Sequence, residues 1–309
     1  HFFEMIQQWF AYTLVVSALL SGALGVLLIK KGLKPIDELS KTSSTVTANC
    51  LDTRIPTESV PGELHELVDN FNEMLSRLDD SFLRLSGFSA DIAHELRTPL
   101  NSMLTQMEVA LLRDRENADY KDIIYSALEE LRRMSKMVDD MLFLAKADNG
   151  KIIPSTEDAS MAEITASVVE YYDLAAEDKN VRIELTGDGQ VKGDKSMLRR
   201  AISNIVSNAV RYAEEGSTIS VEIRKNDTSI STAISNRGIT IPEELQARVF
   251  DRFYRADTAR REGTTLNAGL GMAITRSIVE AHKGRIACAS AEGFTTFTLT
   301  LPRLDESCA

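Results

Sequence analysis

From Phe10 to Ile29 the chain runs twenty residues without a charge, FAYTLVVSALLSGALGVLLI. A helix needs about 20 apolar residues to cross the hydrocarbon core of a bilayer, so this run predicts a transmembrane helix over 10–29. A buried core helix of this length would show a polar face, and none is visible here. Trp9 and Tyr12 lie where interfacial aromatics are expected, and Lys30, Lys31 and Lys34 follow at once. The basic flank places the C-terminal side in the cytoplasm and leaves residues 1–9 as an extracytoplasmic remnant. A cleaved signal peptide fits less well, since no basic region precedes the apolar run. The first residue is His1, so the sequence is expected to begin inside a longer protein or after a processed segment.

At 309 residues the whole chain suggests two or three structural units and has an ordinary globular composition. Hydrophobic residues are 43% and charged residues 26%, which excludes wholesale disorder. The net charge of −11 argues against a nucleic-acid partner, because phosphate backbones are held by an excess of Lys and Arg. Cys50, Cys288 and Cys308 are far apart and lack metal-ligand spacing, which suits a reducing compartment.

Behind the apolar run comes LKPIDELSKTSSTVTANCLDTRIP, a short amphipathic stretch and a polar loop. A second helical pattern starts at 61–63. Leu64, Leu67, Phe71, Met74, Leu78, Phe82 and Leu85 step by threes and fours, a heptad rhythm. Two short helices around a connector resemble a HAMP relay module. A generic coiled-coil stalk has the same periodicity, and position directly behind the membrane favours HAMP. The heptads continue through 86–112, break at 113–117 and resume over 118–147 with Ile124, Ala127, Leu131, Met134, Val138, Met141 and Ala145. This predicts an antiparallel helical hairpin with more apolar seam than one hairpin can bury. A symmetric dimer closing a four-helix bundle is the economical solution. Beyond Gly150, helical segments near 160–178, 195–213 and 270–283 alternate with strand-like runs at 181–185, 217–225, 228–235, 285–290 and 294–301. That pattern predicts a two-layer α/β sandwich.

His94 sits in FSADIAHELRTPL, residues 88–100. It lies two positions from both Ile92 and Leu96, about 200° around a helix, so it faces away from the apolar seam. Glu95 follows it, and Thr98 is one turn on along the same face. A neutral imidazole is a good nucleophile near neutral pH, and a carboxylate on its other nitrogen fixes the tautomer. Pro99 lacks a backbone N–H and weakens the helix just past this point. The stretch resembles the H box of bacterial two-component sensor histidine kinases. That resemblance implies that His94 is phosphorylated, that Glu95 acts as base, and that Thr98 orients the water that dephosphorylates a partner response regulator.

The helix SMLRRAISNIVSNAVRYAEEG has Leu198, Ile202, Ile205, Val206 and Ala209 on one face and Asn204, Asn208 and Arg211 on the other. A merely solvated face would more often carry Glu and Lys than two asparagines one turn apart. A neutral amide oxygen suits Mg²⁺ when a triphosphate supplies the negative charge, and Arg211 is placed to meet phosphate. Tyr212 could flank adenine or ribose. This resembles the family's N box, with Asn208 as the Mg²⁺ ligand. SNRGITIPEEL resembles the first glycine box, with Asn236, Gly238 and Ile241. VFDRFYRAD resembles the phenylalanine box, with Phe250, Phe253 and Arg255, and NAGLGMAI the second glycine box, with Gly269, Leu270 and Gly271. Together they resemble the ATP-binding fold shared by histidine kinases, gyrase, Hsp90 and MutL. Residues 255–268 correspond to its ATP lid, and Gly269 and Gly271 let backbone amides approach phosphate at a helix start.

Three positions depart from the family pattern. Asn236 stands where most relatives carry an Asp that contacts the adenine amino group, a loss of ~1 kcal/mol. Asn267 and Thr240 each replace a glycine. With Asn236 and the segment 137–150, the chain most resembles the heavy-metal (copper or silver) sensor kinases.

The resemblance implies a membrane helix at 10–29, a HAMP linker at 30–83, a dimerisation and phosphoacceptor hairpin at 84–149 and an ATP-binding domain at 150–309. It implies ATP and Mg²⁺ as ligands, a homodimer, a response regulator as partner, and the bacterial inner membrane as location. A gyrase- or Hsp90-type ATPase would carry a Glu one turn before the metal-binding Asn, where this chain has Asn204, which cannot act as a general base. A degenerate kinase that dephosphorylates or scaffolds a partner is the non-kinase alternative, opposed by His94, Glu95, Asn208, Gly269 and Gly271.

Overall fold

The computed structural model describes residues 2–45, 54–56, 62–113, 116–254 and 269–303; within these, the side chains of 4, 5, 7, 8, 11, 28, 29, 31–45, 63, 84 and 85 lie outside the description. The chain divides into two compact units, His1–His94 and Glu95–Ala309.

In the first unit, one helix α1 (Phe2–Thr45) takes in both the apolar run and the amphipathic stretch that follows it. Among the described residues no helix is long and apolar enough to cross a membrane; Ala11, Leu28 and Ile29 of the 10–29 run have side chains outside them. An extended segment at 54–56 lies beside helix α2 (His65–Leu111). Asn72 of α2 accepts the Ile55 N–H at 3.0 Å and donates to the Ile55 carbonyl at 2.9 Å. Ile55 is thereby buried against Val68, with Leu64 and Phe71 packed around them. Among the described side chains of this part of α2, Val68 and Leu75 are buried, while Leu67, Met74, Leu78 and Phe82 of the heptad set stay exposed. Leu85 lies outside the described side chains.

Helix α2 runs without interruption from the linker through His94 and past Pro99. Missing one N–H removes a single rung, which the turns on either side tolerate. Helix α3 (Asn117–Asp148) buries Ala127, Met141 and Leu144 but leaves Ile124, Leu131 and Val138 exposed.

The sandwich is built on strands β1 (Glu157–Ser160), β2 (Arg182–Thr186), β3 (Gln190–Gly193), β4 (Thr218–Lys225), β5 (Ser229–Arg237), β6 (Arg285–Ala291) and β7 (Phe294–Pro302). Five strands form one sheet in the order β2-β4-β5-β7-β6, with β2–β4 parallel and the other pairs antiparallel. Its inner face carries Ile219, Val221, Ile223, Ile230, Ile234, Phe297, Leu299 and Leu301, all buried. Alternation along β4, β5 and β7 puts these on one side, as a half-covered antiparallel sheet requires. Against that face pack α4 (Met161–Glu177), α5 (Lys195–Tyr212) and, after the short α6 (Glu243–Gln246), α7 (Gly271–Ala281).

Local chemistry fixes the helix starts. Ser160 caps α4 by accepting the Glu163 N–H at 3.1 Å, the serine half of a capping-box sequence. Asp194 caps α5 by accepting from Met197 at 3.0 Å. That backbone bond is the main reason its carboxyl lies below the usual carboxylate range. β1 and β3 form a separate two-stranded ribbon absent from the sequence pattern, because four residues such as Glu157–Ser160 carry no apolar alternation.

Candidate functional site

On α2, His94 and Thr98 are exposed, Glu95 is half-buried, and Ile92 and Leu96 are half-buried on the seam side. The helical phase therefore presents the imidazole outward, as its spacing from Ile92 and Leu96 requires.

The second constellation lies where α5, α7 and the loops after β5 and before α7 converge. On α5, Leu198, Ile202, Ile205, Val206 and Ala209 are buried, while Asn204, Asn208 and Arg211 are half-buried on the far side. The Asn204 amide donates to the Gly271 carbonyl at 2.9 Å and lies 3.3 Å from Thr275 Oγ1. Thr275 donates to the same carbonyl at 2.8 Å. Asn204 thus ties α5 to the first turn of α7, a structural duty that its spacing from Asn208 did not reveal. Asn208 makes no side-chain hydrogen bond among the described residues. The Arg211 guanidinium lies 5.5 Å from the centroid of the Tyr212 ring, and Tyr212 is exposed.

Asn236 is buried near the end of β5, with its amide 3.4 Å from the Arg237 carbonyl. Beside it, a Cβ at Gly238 would fall 2.2 Å from the Tyr212 carbonyl, so only glycine lets this loop lie against the end of α5. Ile241 follows on the same loop and is half-buried.

Phe250 is buried edge-on to Phe297, with ring centroids 6.2 Å apart. Phe253 has φ +58 and donates its N–H to the Gly269 carbonyl at 3.1 Å. Gly269 has φ +70, and a Cβ there would come within 2.9 Å of the Phe253 backbone. Phe253 and Gly269, both held in the left-handed region, are thus pinned to each other. Arg255 and Asn267 fall outside the described residues. Leu270 is buried, and α7 begins at Gly271 with no side chain capping its N-terminus among the described residues. Its first N–H groups and the positive end of its dipole suit an anion.

The hairpin helix α3 also reaches this domain. Asp140 pairs with Arg200 of α5, whose guanidinium lies 4.5 Å from the Phe143 ring centroid. At the end of α3, Asp148 pairs with Arg252, one residue before Phe253. Burial pushes the Asp140 carboxyl above its usual range, and the Arg200 charge opposes that shift.

Three family matches follow one another along the chain. Residues 27–80 match the HAMP domain, 84–150 the His Kinase A (phospho-acceptor) domain, and 193–305 the family described as histidine kinase-, DNA gyrase B- and HSP90-like ATPase. The chain is 45% identical over 269 residues to the sensor protein CopS of Pseudomonas syringae pv. tomato, covering 87% of this chain and 55% of that protein. It is 43% identical over 304 residues to the sensor histidine kinase CusS of Escherichia coli (strain K12), covering 98% and 63%. This chain belongs to the sensor histidine kinases. The probable sensor kinase SilS of Salmonella typhimurium is 41% identical over 312 residues, covering 99% of this kinase chain and 62% of SilS. The kinase chain thus spans 55 to 63% of the length of these relatives.

Two solved structures share the fold. The Acinetobacter baumannii histidine kinase AdeS superposes with a TM-score of 0.57 at 19% identity, over 69% of this kinase chain and 98% of that one. Histidine kinase ThkA in complex with response regulator protein TrrA gives 0.58 at 23% identity, over 72% and 64%. The likeness to these two structures is one of fold; the sandwich carries the ATPase-family match, and α2 and α3 carry the phospho-acceptor match.

Proposed function

We propose that this chain is the membrane-anchored transmitter part of a sensor kinase that uses Mg-ATP to phosphorylate its own His94. The observation that carries this reading is the outward imidazole of His94 within the phospho-acceptor match, on the same chain as a histidine-kinase-type nucleotide domain. A lone pair on a ring nitrogen of His94 attacks the γ-phosphorus, the bond to the β–γ bridging oxygen breaks, and ADP leaves. Glu95 takes the ring proton as the N–P bond forms.

The residues present fit the nucleotide. Gly271 leaves the uncapped start of α7 open beside Asn204, where a Cβ would lie 3.5 Å from the amide carbon. Asn208 would hold Mg²⁺ through its amide oxygen, and Arg211 would meet the phosphates. When bound, Mg²⁺ offsets charge on the triphosphate. Asn236 accepts from the adenine amino group, and Tyr212 and Ile241 flank the base. The backbone at Gly238, Phe253, Gly269 and Leu270 shapes the pocket, and Arg255 belongs to its lid.

The phosphoryl group then passes to an Asp of a response regulator, and Thr98 holds the water that later removes it. A homodimer places two hairpins in one four-helix bundle. In α1, Leu19 and Leu20 are 69% and 66% exposed, as lipid contact requires, which supports a membrane span over 10–29 in the bacterial inner membrane. The resemblance carried by Asn236 and 137–150 supports copper or silver ions as the stimulus.

The test is incubation of the full chain, reconstituted in lipid nanodiscs, with γ-labelled ATP. An acid-labile, base-stable label is expected on the wild type and none on His94→Gln, whose exposed position makes the change harmless to packing. Label of that kind persisting on His94→Gln would overturn the assignment, as would its absence from the wild type.

A further inference from the structure

The loop between β5 and α6 is held by side chains that the proposed phosphoryl chemistry does not use. It leaves the sheet at Asn236 and Arg237 and runs through Gly238, Ile239, Thr240 and Ile241 to Pro242. One side of it lies on the Tyr212 carbonyl at the end of α5, through the bare Cα of Gly238. The other side is fastened to the β6–β7 hairpin. Gly238 N–H donates to the Gly293 carbonyl at 2.8 Å, and Gly293 N–H donates back to Thr240 Oγ1 at 2.9 Å. One residue on, Ile241 N–H donates to Ser290 Oγ at 2.8 Å. The Gln246 amide then bridges both partners, donating to the Ile241 carbonyl at 3.0 Å and to the Ser290 carbonyl at 2.9 Å. The Ser290 hydroxyl is itself anchored to the hairpin, 3.1 Å from the Phe294 carbonyl and 2.8 Å from Thr295 Oγ1.

The hairpin is a rigid anchor. Its two turn residues, Glu292 and Gly293, have φ of 51° and 80°, the left-handed pair that matches strand twist in a two-residue turn. β6 and β7 stay in register from Ala291↔Phe294 to Arg285↔Thr300. A loop tied to such a hairpin at Gly238, Thr240 and Ile241 has less conformational freedom to lose when a ligand arrives.

We infer that Thr240, Ser290 and Gln246 form a brace that holds the base-binding wall of the nucleotide pocket in its bound shape, with Thr240 as a positioning residue for ATP. The inference rests on the proposed reading of Asn236 and Tyr212 as neighbours of the adenine. The wall between them is a loop, and ordering a loop on binding costs affinity unless it is ordered beforehand. Thr240 stands where the family pattern has glycine. A glycine could not accept the Gly293 N–H and would return backbone freedom to the loop. Restoring the family's residue should therefore weaken nucleotide binding, the opposite of what a consensus argument expects.

Thr240 is exposed, so substitution there leaves the core intact. The experiment compares Thr240→Val, Thr240→Gly and Thr240→Ser with wild type in the full chain in nanodiscs. It measures displacement of a fluorescent ATP analogue and steady-state autophosphorylation. Thr240→Val and Thr240→Gly should raise the ATP Kd and KM about two- to tenfold, the span given by one hydrogen bond. The kcat should stay within about twofold, and Thr240→Ser should restore both parameters. Gln246→Leu should move KM in the same direction. An unchanged Kd in both Thr240→Val and Thr240→Gly, a kcat that falls in step with a rising KM, or failure of Thr240→Ser to rescue would overturn the brace. Absence of nucleotide binding by the wild type would instead sink the underlying functional reading, and the brace with it.

Discussion

At the scale of residues, the two asparagines of α5 show that similar side chains one turn apart can have different duties. Asn204 spends its amide hydrogens on the Gly271 carbonyl and Thr275, joining α5 to α7. Asn208 has no such engagement among the described residues and remains available to a ligand. Asn208→Asp should therefore abolish most autophosphorylation while leaving the melting temperature unchanged, because it adds charge beside the triphosphate and alters metal geometry. Asn204→Ala should lower stability by about 1 kcal/mol through the lost tie, with activity falling as α7 loosens. Thermal unfolding and labelling of both variants separate these outcomes. A destabilised Asn208→Asp, or an Asn204→Ala of wild-type stability, would reverse the two assignments.

At the scale of elements, α3 and the nucleotide domain meet through two ion pairs of unequal standing. Arg200 is about one-third exposed and Asp140 17%, and the guanidinium also stacks on Phe143. Asp148, paired with Arg252, is 54% exposed. Exposed pairs contribute little, whereas stripping the partner from a half-buried carboxylate leaves its desolvation uncompensated. Arg200→Met should thus cost ~1–2 kcal/mol and Arg252→Met less, as read by chemical denaturation. The sign with pH follows from Asp140. Its carboxyl is raised in the folded state, so its ionisation lowers stability as pH rises through the folded value. Without Arg200 to oppose that shift, the variant's deficit should shrink in acid. A deficit independent of pH would show that the lost stacking on Phe143 carries the effect.

The same elements show what was legible in the sequence. α5, α7 and the five main strands were readable because apolar alternation and helical phase are local signals; β5 was placed at 228–235 and spans Ser229–Arg237. The outward face of His94 was readable for the same reason. The ribbon of Glu157–Ser160 with Gln190–Gly193 was not, since its two strands are distant in sequence and most of their residues are polar. Nor was the Thr240 bond to Gly293, which joins residues far apart in sequence and made Thr240 look like a simple loss of glycine. The heptad over 64–85 is legible, but among the described residues of this stretch of α2 the buried ones are Val68 and Leu75. Periodicity marks an apolar stripe without saying which side of it a neighbour covers first.

At the scale of the whole molecule, the uncovered part of those stripes is the strongest remaining constraint. Along α3, Ile124 is 64% exposed, Leu131 52% and Val138 41%, three residues spaced seven apart. An apolar stripe of this regularity on a helix is a seam for another helix. The phospho-acceptor match and the need to bury a hairpin on both sides favour a second copy of the chain as that helix's source. Replacing Ile124 and Leu131 by Glu should convert a dimer in detergent micelles to a monomer, read as mass by light scattering. Because neither side chain contributes to the sandwich core, nucleotide affinity should be retained. Retained dimer mass with normal nucleotide binding would place the contact between copies elsewhere. Loss of nucleotide binding together with dimer mass would show that the hairpin and the sandwich fold as one cooperative unit, in which the seam stabilises the nucleotide site as well as the bundle.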